Sequence, residues 1–445
     1  MEKPFRGRVG FALPVQGKRC HSDDNTDDRS PMSTALLTDR YELTMLEAAL
    51  AGGLAEHRAV FEVFCRRLPP GRRFGVAAGQ GRLATLLPQV RYGDDELAAL
   101  DFLGPEACVW LRDRELSVEV SAYPEGEIFV PGSPVLTVEG CFGEGLLLET
   151  LVLSVLNADS AVASAAARMV LAAGDRPLLE MGGRRVHEQA AVAAARAAYV
   201  AGFAMTSNLE AGRRHGVPTA GTSAHAFTLA HVDERDAFAA QVRTLGAGTT
   251  LLVDTYDTAQ GIRNAVEVAG TGLGAVRLDS GDPLEEVPRA RALLDALGAT
   301  GTRIVVTGDL DEHSVAALAA QPVDVYGVGT SVVTGSGAPT AGFVYKLVAV
   351  AREPGPDAPL VPVAKTSSGK HTVGGRKWAY RTDGGAEVLR LAPGGEGRLL
   401  QRPLPTTDDA HAPRAHCARA LADLPAGARG LSPGTAAWTA QLEEA

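Results

Sequence analysis

The sequence predicts an α/β fold whose second half forms a parallel, barrel-type sheet. Four short apolar runs follow one another between residues 251 and 330, and each ends in Asp, Ser, Gly or Thr. Helix-forming segments separate these runs at intervals of about 20–30 residues, which is the spacing of β-α units. Unbroken Val, Ile and Leu runs are typical of strands buried on both faces. The polar ends of barrel strands converge on one mouth, so we expect a functional site there.

The elements of this half, assigned to residues 143–345, can be placed in order. An apolar run ends at Leu156, and a separate Ala-rich helix is expected to end at about Ala173, with the polar residues 157–160 between them. An apolar run from Leu178 then leads to Gly182, Gly183 and two arginines, and a helix follows at 187–204. Strands are predicted within 251–257, 275–282, 303–311 and 323–330, with helices at 258–269, 285–297 and 312–319 between them.

Composition excludes several classes of function. Of the 445 residues, 45% are hydrophobic and 22% are charged, as expected of a globular chain with a large core. The net charge of −10 argues against nucleic-acid binding, because such domains are usually basic. No apolar run in the sequence approaches the roughly 18 residues of a membrane-spanning helix, so we expect no membrane association.

Scattered cysteines favour a reducing, cytoplasmic location. None of them forms a Cys-x-x-Cys pair, so the sequence contains neither a zinc ribbon nor a redox motif of that kind. Their number is odd and no secretory signal is visible. The cysteines are Cys20, Cys65, Cys108, Cys141 and Cys417.

The N-terminal part predicts a polar tail and a mixed α/β domain. Residues 1–31 contain the run HSDDNTDDRS, which has nothing to bury, so we expect a disordered tail that need not be native. The domain at residues 32–142 opens with a helix capped by Thr38 or Asp39. Strand signals follow at 59–65 and within 116–139, the latter broken by turns.

Two stretches imitate phosphate-binding loops. Residues 79–84 fit G-x-G-x-x-A, but no β-α-β unit surrounds them. Residues 364–371 lack the first glycine of a P-loop, and His371 stands where Ser or Thr is required. We therefore assign no phosphate site to either stretch.

Residues 221–225, Gly-Thr-Ser-Ala-His, give the first indication of chemistry. They have the pattern of a short strand that ends in a small-residue turn carrying His225. Small residues let a phosphate come close, and a histidine with a pKa of about 6.5 can take or pass a charged group near neutral pH. A histidine that is merely hydrogen-bonded is the alternative interpretation. Arg184, Arg277 and the strand-end Asp and Gly residues favour a site.

An ordered set of motifs resembles the nicotinate phosphoribosyltransferase family. The motifs span about residues 33–435 and are TDRYELTM, EMGGRR, TSNLEAG, GTSAHAF, VRLDSGDP, GDLDE, YGVGTS with FVYKLVAV, and a late K-x-x-x-x-K segment. The resemblance implies an irregular, incomplete (β/α) barrel of the type II phosphoribosyltransferase kind. It also implies flanking mixed α/β segments that fold together, so that residues 346–445 pack on the N-terminal domain, and a homodimer with shared active sites.

The resemblance further implies the reaction. An enzyme of this kind joins nicotinate to phosphoribosyl pyrophosphate, giving nicotinate mononucleotide and pyrophosphate for NAD biosynthesis. ATP is the implied co-substrate, hydrolysed through a phosphohistidine, and Mg²⁺ is the implied cofactor. Positive charge builds on the ribose as the bond to pyrophosphate breaks, so Mg²⁺ and cationic side chains are expected at the leaving group.

Roles follow for residues that match the family motifs. His225 matches the phosphorylated histidine, whose neutral ring nitrogen attacks the γ-phosphate. Arg184 matches the arginine that holds the pyridine acid through a fork of N–H donors, and Arg185 is the neighbouring candidate. Tyr41, offered by the other subunit, would stack on the pyridine ring.

Further matching residues would hold the rest of the substrate. Arg277 would hold the base and the phosphates, and Asp279 would lie near the ribose hydroxyls. Thr219 is also predicted to contact the substrate. Backbone N–H groups would bind the 5′-phosphate, and they belong to Gly281, Gly308, Gly327, Gly329 and Thr330.

Ser207 favours the acid over the amide. The nicotinamide-using relatives carry an aspartate at the matching position, and that carboxylate would repel the carboxylate of nicotinate. Two residues depart from the family pattern. Met181 stands where relatives often carry Phe, and Gly183 is small where many members carry a larger residue.

Four alternatives compete with this assignment. A nicotinamide-using or decarboxylating quinolinate phosphoribosyltransferase would have a similar barrel, but the quinolinate enzyme needs a denser basic pocket. A Schiff-base aldolase needs a lysine inside the barrel, and residues 170–345 contain no lysine. A non-catalytic scaffold would keep the apolar strands but need not keep Arg184, His225, Arg277 and Asp279 together.

Overall fold

The computed structural model describes residues 33–366, 372–432, 434, 436–438 and 440–443. The tail predicted at residues 1–31 and Lys370 of the late lysine motif lie outside the described residues. Up to Cys141, helices mix with antiparallel strands as the sequence predicts. The elements are α1 (Arg40–Ala51), β1 (Arg58–Cys65), β2 (Gly75–Val76), α2 (Gln80–Leu86), a 3₁₀ turn (Leu87–Gln89), α3 (Asp94–Ala98), α4 (Pro105–Leu111), β3 (Glu119–Ala122), β4 (Ile128–Phe129) and β5 (Pro134–Cys141).

Strand–helix units dominate the middle of the chain. The predicted helix at 258–269 is found at the same residues, and other boundaries shift by a few residues. The elements are α5 (Phe142–Leu146), α6 (Glu149–Ala173), β6 (Leu178–Glu180), α7 (Glu188–Val200), β7 (Met205–Thr206), α8 (Leu209–His215), α9 (His225–Leu229), α10 (Glu234–Leu245), β8 (Thr250–Leu252), α11 (Thr258–Ala269), β9 (Ala275–Leu278), α12 (Pro283–Ala296), β10 (Arg303–Val306), α13 (Glu312–Ala317), a 3₁₀ turn (Leu318–Ala320), β11 (Val325–Val328) and α14 (Thr330–Val333).

The last part of the chain returns to short strands and helices. Its first strand is long and begins before the predicted boundary between residues 345 and 346, which therefore falls inside a strand. The elements are β12 (Phe343–Ala351), β13 (Leu360–Pro362), β14 (Trp378–Arg381), β15 (Glu387–Arg390), β16 (Arg398–Leu399), β17 (Arg402–Pro403), α15 (His411–Ala422), α16 (Ala426–Arg429) and β18 (Gln441–Leu442).

Six parallel strands form the predicted sheet in the order β7-β6-β11-β10-β9-β8. Every residue of β9 is buried, as expected of a strand covered on both faces. The edge strands β7 and β8 do not pair with each other, so the sheet is an open, incomplete barrel. This confirms the predicted fold class. Because the strands are parallel, their carboxyl ends share one edge of the sheet.

The chain before His225 differs from the predicted strand. Within this stretch only Thr219 makes a strand-like bridge, to Thr206, and His225 is the first residue of α9. Residues 221–224 form a loop. The loop has no large apolar side chain to bury in a sheet, and Arg277 holds it instead by donating to Thr222 Oγ1 at 3.1 Å.

Helix α6 is continuous, so the predicted interruption at residues 157–160 is wrong. The polar residues there find partners beside the helix and leave its backbone intact. Asp159 pairs with Arg82 at 2.6 Å, and Ser160 Oγ accepts the backbone N–H of Ala78 at 3.0 Å. Polar side chains satisfied in this way do not compete with the helical hydrogen bonds.

Helix α6 is also long and apolar enough to cross a membrane by length and composition. The sequence-based expectation that no segment approaches that length is therefore wrong. Within the protein, 72% of its apolar window is buried, and Arg168 pairs with Glu312 of α13 at 3.1 Å. A helix packed in this way is the core helix of the fold.

An antiparallel sheet combines strands from both ends of the described chain, in the order β13-β12-β1-β5-β3-β17. Strand β1 lies between β5 and β12, and it pairs with β12 from Ala59 opposite Val350 to Cys65 opposite Phe343. The partners of β1 therefore come from before and after the parallel sheet in sequence.

A buried arginine ties three parts of the chain together. Arg196 of α7 is fully buried and donates to both carboxylate oxygens of Glu125, at 2.6 and 2.8 Å. Its Nε lies 2.6 Å from Asp408, shortly before α15. Two carboxylates thus share one buried cation, and removing one partner would leave a buried charge uncompensated. No local pattern in the sequence predicts this contact.

Candidate active site

A cavity of about 270 Å³ opens at the carboxyl edge of the parallel sheet. It lies where the loops after β6, β9, β10 and β11 meet the start of α9. Most of the predicted site residues line it: Arg184, Arg185, His225, Arg277, Asp279, Gly308, Gly327, Gly329 and Thr330. Met181 also lines the cavity, as do Ser223, Thr307 and Asp309, which the predicted site did not include.

His225 is oriented by a buried carboxylate. Its Nε2 lies 3.1 Å from Asp254 Oδ1, and only 1% of the Asp254 side chain is exposed, against 36% for His225. The other carboxylate oxygen, Oδ2, accepts Asp279 N–H at 2.8 Å and the Ser280 hydroxyl at 2.6 Å. An ionised carboxylate only accepts hydrogen bonds, so Nε2 carries the hydrogen and Nδ1 keeps its lone pair. The ring is therefore poised as a nucleophile.

Arg277 joins three loops around this histidine. Its guanidinium donates to Thr307 Oγ1 at 2.9 Å, to Ser223 O at 3.2 Å and to Asp279 Oδ1 at 2.7 Å. Burial alone would raise the pKa of Asp279, but the hydrogen bonds from Arg277 and Thr307 hold that pKa below its usual value. The carboxylate stays ionised and fixed beside the cavity.

Arg184 and Arg185 supply the free positive charge. Both are exposed at the cavity wall, and neither forms an ion pair within the described part of the chain. The Gly182–Gly183 turn that carries them is compact, with Arg185 N–H donating to Gly182 O at 2.8 Å. Two unpaired guanidinium groups in one cavity suit an anionic ligand.

Glycines bring the backbone close at two points of the cavity. Gly308 has φ +96°, and a Cβ there would lie 2.4 Å from the backbone oxygen of Asp279. A Cβ on Gly327 would lie 2.5 Å from Thr307 Cγ2 and 2.8 Å from Met181 Sδ. The loops after β10 and β11 can approach the strand ends only because these side chains are absent.

Four predicted residues lie outside the lining of this cavity: Tyr41, Ser207, Thr219 and Gly281. Tyr41 is an exposed residue of α1 whose hydroxyl bonds to Glu149, and burial of the phenol together with the Glu149 charge raises its pKa to about 12. Ser207 and Thr219 are exposed. Ser207 follows β7, while Gly281 follows β9 with φ +84°.

Three groups near strand ends lie outside the predicted set of site residues: Asp254, which contacts His225, and Thr307 and Asp309, which line the cavity. Thr307 directly follows β10, and Asp254 lies two residues after the last residue of β8, so each stands near a strand end. Asp309 is exposed at the cavity with φ +48°, a left-handed conformation that is uncommon for a residue with a side chain. Thr307 and Asp309 could be expected from their positions at the end of β10, whereas the role of Asp254 depends on its contact with His225.

Two family models match the chain. The model for the nicotinate phosphoribosyltransferase N-terminal domain matches residues 36–157, and the model for the quinolinate phosphoribosyl transferase C-terminal domain matches residues 162–336. A nicotinate phosphoribosyltransferase from Mycobacterium tuberculosis is 53% identical over 446 residues, covering 95% of this chain and 97% of the relative. The chain belongs to the nicotinate phosphoribosyltransferase family.

A more distant relative and two solved structures are also similar to this chain. The Bacillus subtilis protein is 39% identical over 368 residues, covering 78% of this chain and 73% of the relative. The crystal structure of the human nicotinic acid phosphoribosyltransferase superposes with a TM-score of 0.76 at 29% identity, covering 91% of this chain and 97% of that one. The nicotinate-nucleotide pyrophosphorylase from Pyrococcus furiosus superposes with a TM-score of 0.73 at 26% identity, covering 92% and 99%.

The closeness of Gly308 to Asp279 in this nicotinate phosphoribosyltransferase can be tested. Gly308→Ala is expected to destabilise the protein by about 1–3 kcal/mol, because alanine resists the left-handed conformation and would press on the Asp279 backbone. It should also raise KM for phosphoribosyl pyrophosphate more than KM for nicotinate. Thermal melting and steady-state kinetics measure the two effects.

Gly301→Ala is the matched control for Gly308→Ala, just before the same strand. No atom lies within 4 Å of its added methyl group, so its stability should change by less than about 0.5 kcal/mol. Equal effects of the two substitutions on KM would contradict a special role for Gly308.

Proposed function

We propose that the protein joins nicotinate to phosphoribosyl pyrophosphate, with ATP hydrolysis coupled through His225. One observation carries this proposal: a histidine oriented by buried Asp254 shares a cavity with two unpaired arginines. The imidazole suits transient phosphorylation and the arginines suit anionic substrates. Membership of the family supports the same reaction.

The proposed phosphorylation step uses the geometry of His225 directly. Nδ1 attacks the γ-phosphorus of ATP with its lone pair, the bond from that phosphorus to the bridging oxygen breaks, and ADP leaves with the electrons. The imidazole ring then carries positive charge, which Asp254 stabilises through the Nε2–H hydrogen bond. Water later attacks the phosphorus, the Nδ1–P bond breaks with its electrons returning to Nδ1, and inorganic phosphate leaves with the proton lost by the water. The phosphate adds roughly two negative charges. This charge would draw the loop that carries Arg184 and Arg185 toward the phosphohistidine.

The proposed transfer step breaks the bond between ribose C1 and pyrophosphate. The pyridine nitrogen forms the new bond to C1, and pyrophosphate leaves with the electron pair. Asp279 lies where its fixed negative charge can face the cationic ribose, since Arg277 holds the carboxylate in place. Arg184 or Arg185 would hold the nicotinate carboxylate. Backbone N–H groups of the loops carrying Gly308 and Gly327 would bind the 5′-phosphate.

Mg²⁺ fits the donors of this cavity without a preformed cage. Among the described residues, no cluster of three His, Cys, Asp or Glu could hold a metal. The cavity does present the carboxylates of Asp279 and Asp309. Proteins usually hold Mg²⁺ through one or two carboxylates together with water and substrate phosphates, so these two residues would hold it. When bound, the ion would neutralise charge on the pyrophosphate.

We propose a cytoplasmic homodimer in which Tyr41 completes the partner's cavity. Tyr41 and Met45 lie one turn apart on α1 and are exposed, and Leu37 is exposed shortly before the helix. Exposed apolar residues grouped in this way are the kind that a second subunit covers. Residues 143–345 would then carry the cavity, and residues 32–142 with 346–445 the dimer contacts. Sedimentation equilibrium giving the monomer mass at micromolar concentration would refute the dimer.

The reaction is tested by product formation from phosphoribosyl pyrophosphate and Mg²⁺ with nicotinate, nicotinamide or quinolinate, each with and without ATP. We expect turnover of nicotinate alone, stimulated by ATP. Turnover of quinolinate, which the match to a quinolinate phosphoribosyl transferase model keeps as the second candidate, would replace the proposal. If the folded dimer turns over none of these three pyridines, the protein is a scaffold and the proposed reaction is refuted.

Ser207→Asp is expected to shift selectivity from nicotinate towards nicotinamide. The new carboxylate would repel the nicotinate carboxylate. Because a like-charge contact can cost a few kcal/mol, kcat/KM for nicotinate should fall by at least about 10-fold. Competition between the two pyridines in one reaction mixture measures the ratio. Ser207→Asn separates charge from size, because it adds the same bulk without the charge. If the Asn and Asp variants behave alike, charge does not set the preference.

A further inference from the structure

A buried carboxylate that the reaction does not use lies behind the cavity. Glu180 ends β6, directly before the turn with Arg184 and Arg185, and is 1% exposed. It forms no ion pair with any described cation. Burial raises its pKa, and the hydrogen bonds from Thr206 and Gly182 act against that rise. Burying such a group without a counter-charge is costly, so its hydrogen bonds must stabilise it.

The two carboxylate oxygens of Glu180 hold two different loops. One oxygen, Oε1, accepts the backbone N–H of Gly182, at the start of the arginine turn. The other, Oε2, accepts the hydroxyl of Thr206 at 2.5 Å, at the start of the Ser207 loop. The backbone oxygen of Glu180 also accepts Ser207 N–H at 2.8 Å. One residue therefore anchors both loops.

The loops that Glu180 anchors face each other. Thr206 Oγ1 accepts Asn208 N–H at 3.0 Å, which extends the Glu180 contact into the second loop. A Cβ built on Gly183 would lie 3.7 Å from Asn208 Nδ2. Gly182 is seated so tightly that a Cβ there would lie 2.8 Å from Gly329 O, beside the proposed phosphate loop. A shift of Glu180 would thus move the arginine turn against its neighbours.

We propose that Glu180 is a positioning residue for nicotinate recognition, fixing the arginine turn and the Ser207 loop in one arrangement. This rests on the proposed function, because it takes Arg184 and Ser207 as the groups that select an acid. An ionised carboxylate suits the task, since it accepts from both loops and donates to neither. A glutamine could accept from Gly182 only; its NH₂ group would have to donate to Thr206 Oγ1, and the Thr206 hydroxyl hydrogen would lose its acceptor.

The test compares Glu180→Gln and Thr206→Val with the wild-type enzyme. We expect Glu180→Gln to lower kcat/KM for nicotinate by about 10- to 100-fold, because small misplacements of binding groups have effects of that size. Most of the loss should appear in KM for nicotinate, with KM for phosphoribosyl pyrophosphate changed by less than about 2-fold and preference over nicotinamide reduced. Thr206→Val should act in the same direction, and the double variant should be no worse than Glu180→Gln.

Glu234→Gln is the control for burial of a glutamate in the same half of the chain. Glu234 is also buried, with Asn264 as its partner, and it lies outside the cavity lining. The proposal is overturned if Glu234→Gln gives the same KM change, if KM for both substrates rises equally, or if the Glu180 and Thr206 effects are additive. Thr206→Val keeps the test decisive should Glu180→Gln fail to fold.

Hydrogen exchange distinguishes failure of this inference from failure of the proposed function. Glu180→Gln should speed amide exchange at Arg185 and at Ser207 and Asn208 together, without any substrate present. Faster exchange in one loop alone overturns the coupling, whatever the enzyme does. If Glu180→Gln speeds exchange in both loops but the wild-type protein does not turn over nicotinate, the proposed function fails and the coupling of the two loops remains supported.

Discussion

His225→Ala is expected to abolish ATP-stimulated turnover of nicotinate. The substitution removes the only ring nitrogen that Asp254 orients into the cavity, so ATP hydrolysis coupled to product formation should fall by on the order of 100-fold or more, as on loss of a positioned catalytic group. Slow, ATP-independent formation of nicotinate mononucleotide should remain, because the arginines and phosphate loops stay in place. Parallel assays of ADP and of nicotinate mononucleotide measure the coupling.

His231→Ala is the matched control for His225→Ala. His231 lies just after the same helix, with its ring against Phe227 and Nδ1 bonded to Phe227 O at 2.8 Å, and it does not line the cavity. Its replacement should leave the coupling within about 2-fold of wild type. Asp254→Asn should resemble His225→Ala, since an amide in that place favours the wrong tautomer. Full coupling in His225→Ala would refute the phosphohistidine.

Arg277→Lys is expected to lower kcat/KM by about 100-fold or more, although the charge is conserved. One ammonium cannot replace a guanidinium that spans Thr307, Ser223 and Asp279. The loop before His225 would lose its anchor and Asp279 would lose its paired donor. We also expect a loss of about 1–3 kcal/mol in stability, the scale of a hydrogen-bonded charged group left without its partner. Kinetics and chemical denaturation measure the two effects.

Arg303→Lys provides the comparison on the neighbouring strand. Arg303 begins β10, and its side chain is exposed and makes one long contact to Gly274 O at 3.5 Å. Its replacement should alter neither activity nor stability measurably, because exposed single contacts contribute little. If Arg277→Lys behaves like Arg303→Lys, the fork geometry does not matter and the charge alone suffices.

The parallel sheet was predictable because its signal is local. Strands β8 to β11 are apolar runs that end in polar residues, and both features can be read from a few neighbouring positions. The helix at 258–269 has a helical apolar pattern and a polar cap. By contrast, the interruption predicted at residues 157–160 failed because Asp159 and Ser160 are satisfied by Arg82 and Ala78, which are far away in the sequence.

The site was predictable only in part, for a related reason. Residues at the strand ends, such as Arg277 and Asp279, could be expected at one edge of the sheet. The role of Asp254 could not, because it depends on an imidazole that lies 29 residues earlier in the chain and turns toward the carboxylate only in the folded protein. Tyr41 and Ser207 lie outside this cavity; their predicted roles depend on a bound substrate and a second subunit, which no local sequence pattern encodes.

The position of β1 between β5 and β12 has a consequence for biosynthesis. One side of β1 stays unpaired until β12 leaves the ribosome, roughly 290 residues later, which at about 5–20 residues per second takes tens of seconds. During that interval an apolar strand edge is open to other chains, a recognised route to aggregation. The antiparallel sheet therefore cannot be completed until the strands of the parallel sheet have been synthesised. A chaperone that shields strand edges should raise the yield of soluble enzyme, whereas slower translation should lower it by lengthening the exposure. Truncation before residue 343 should leave that edge permanently exposed.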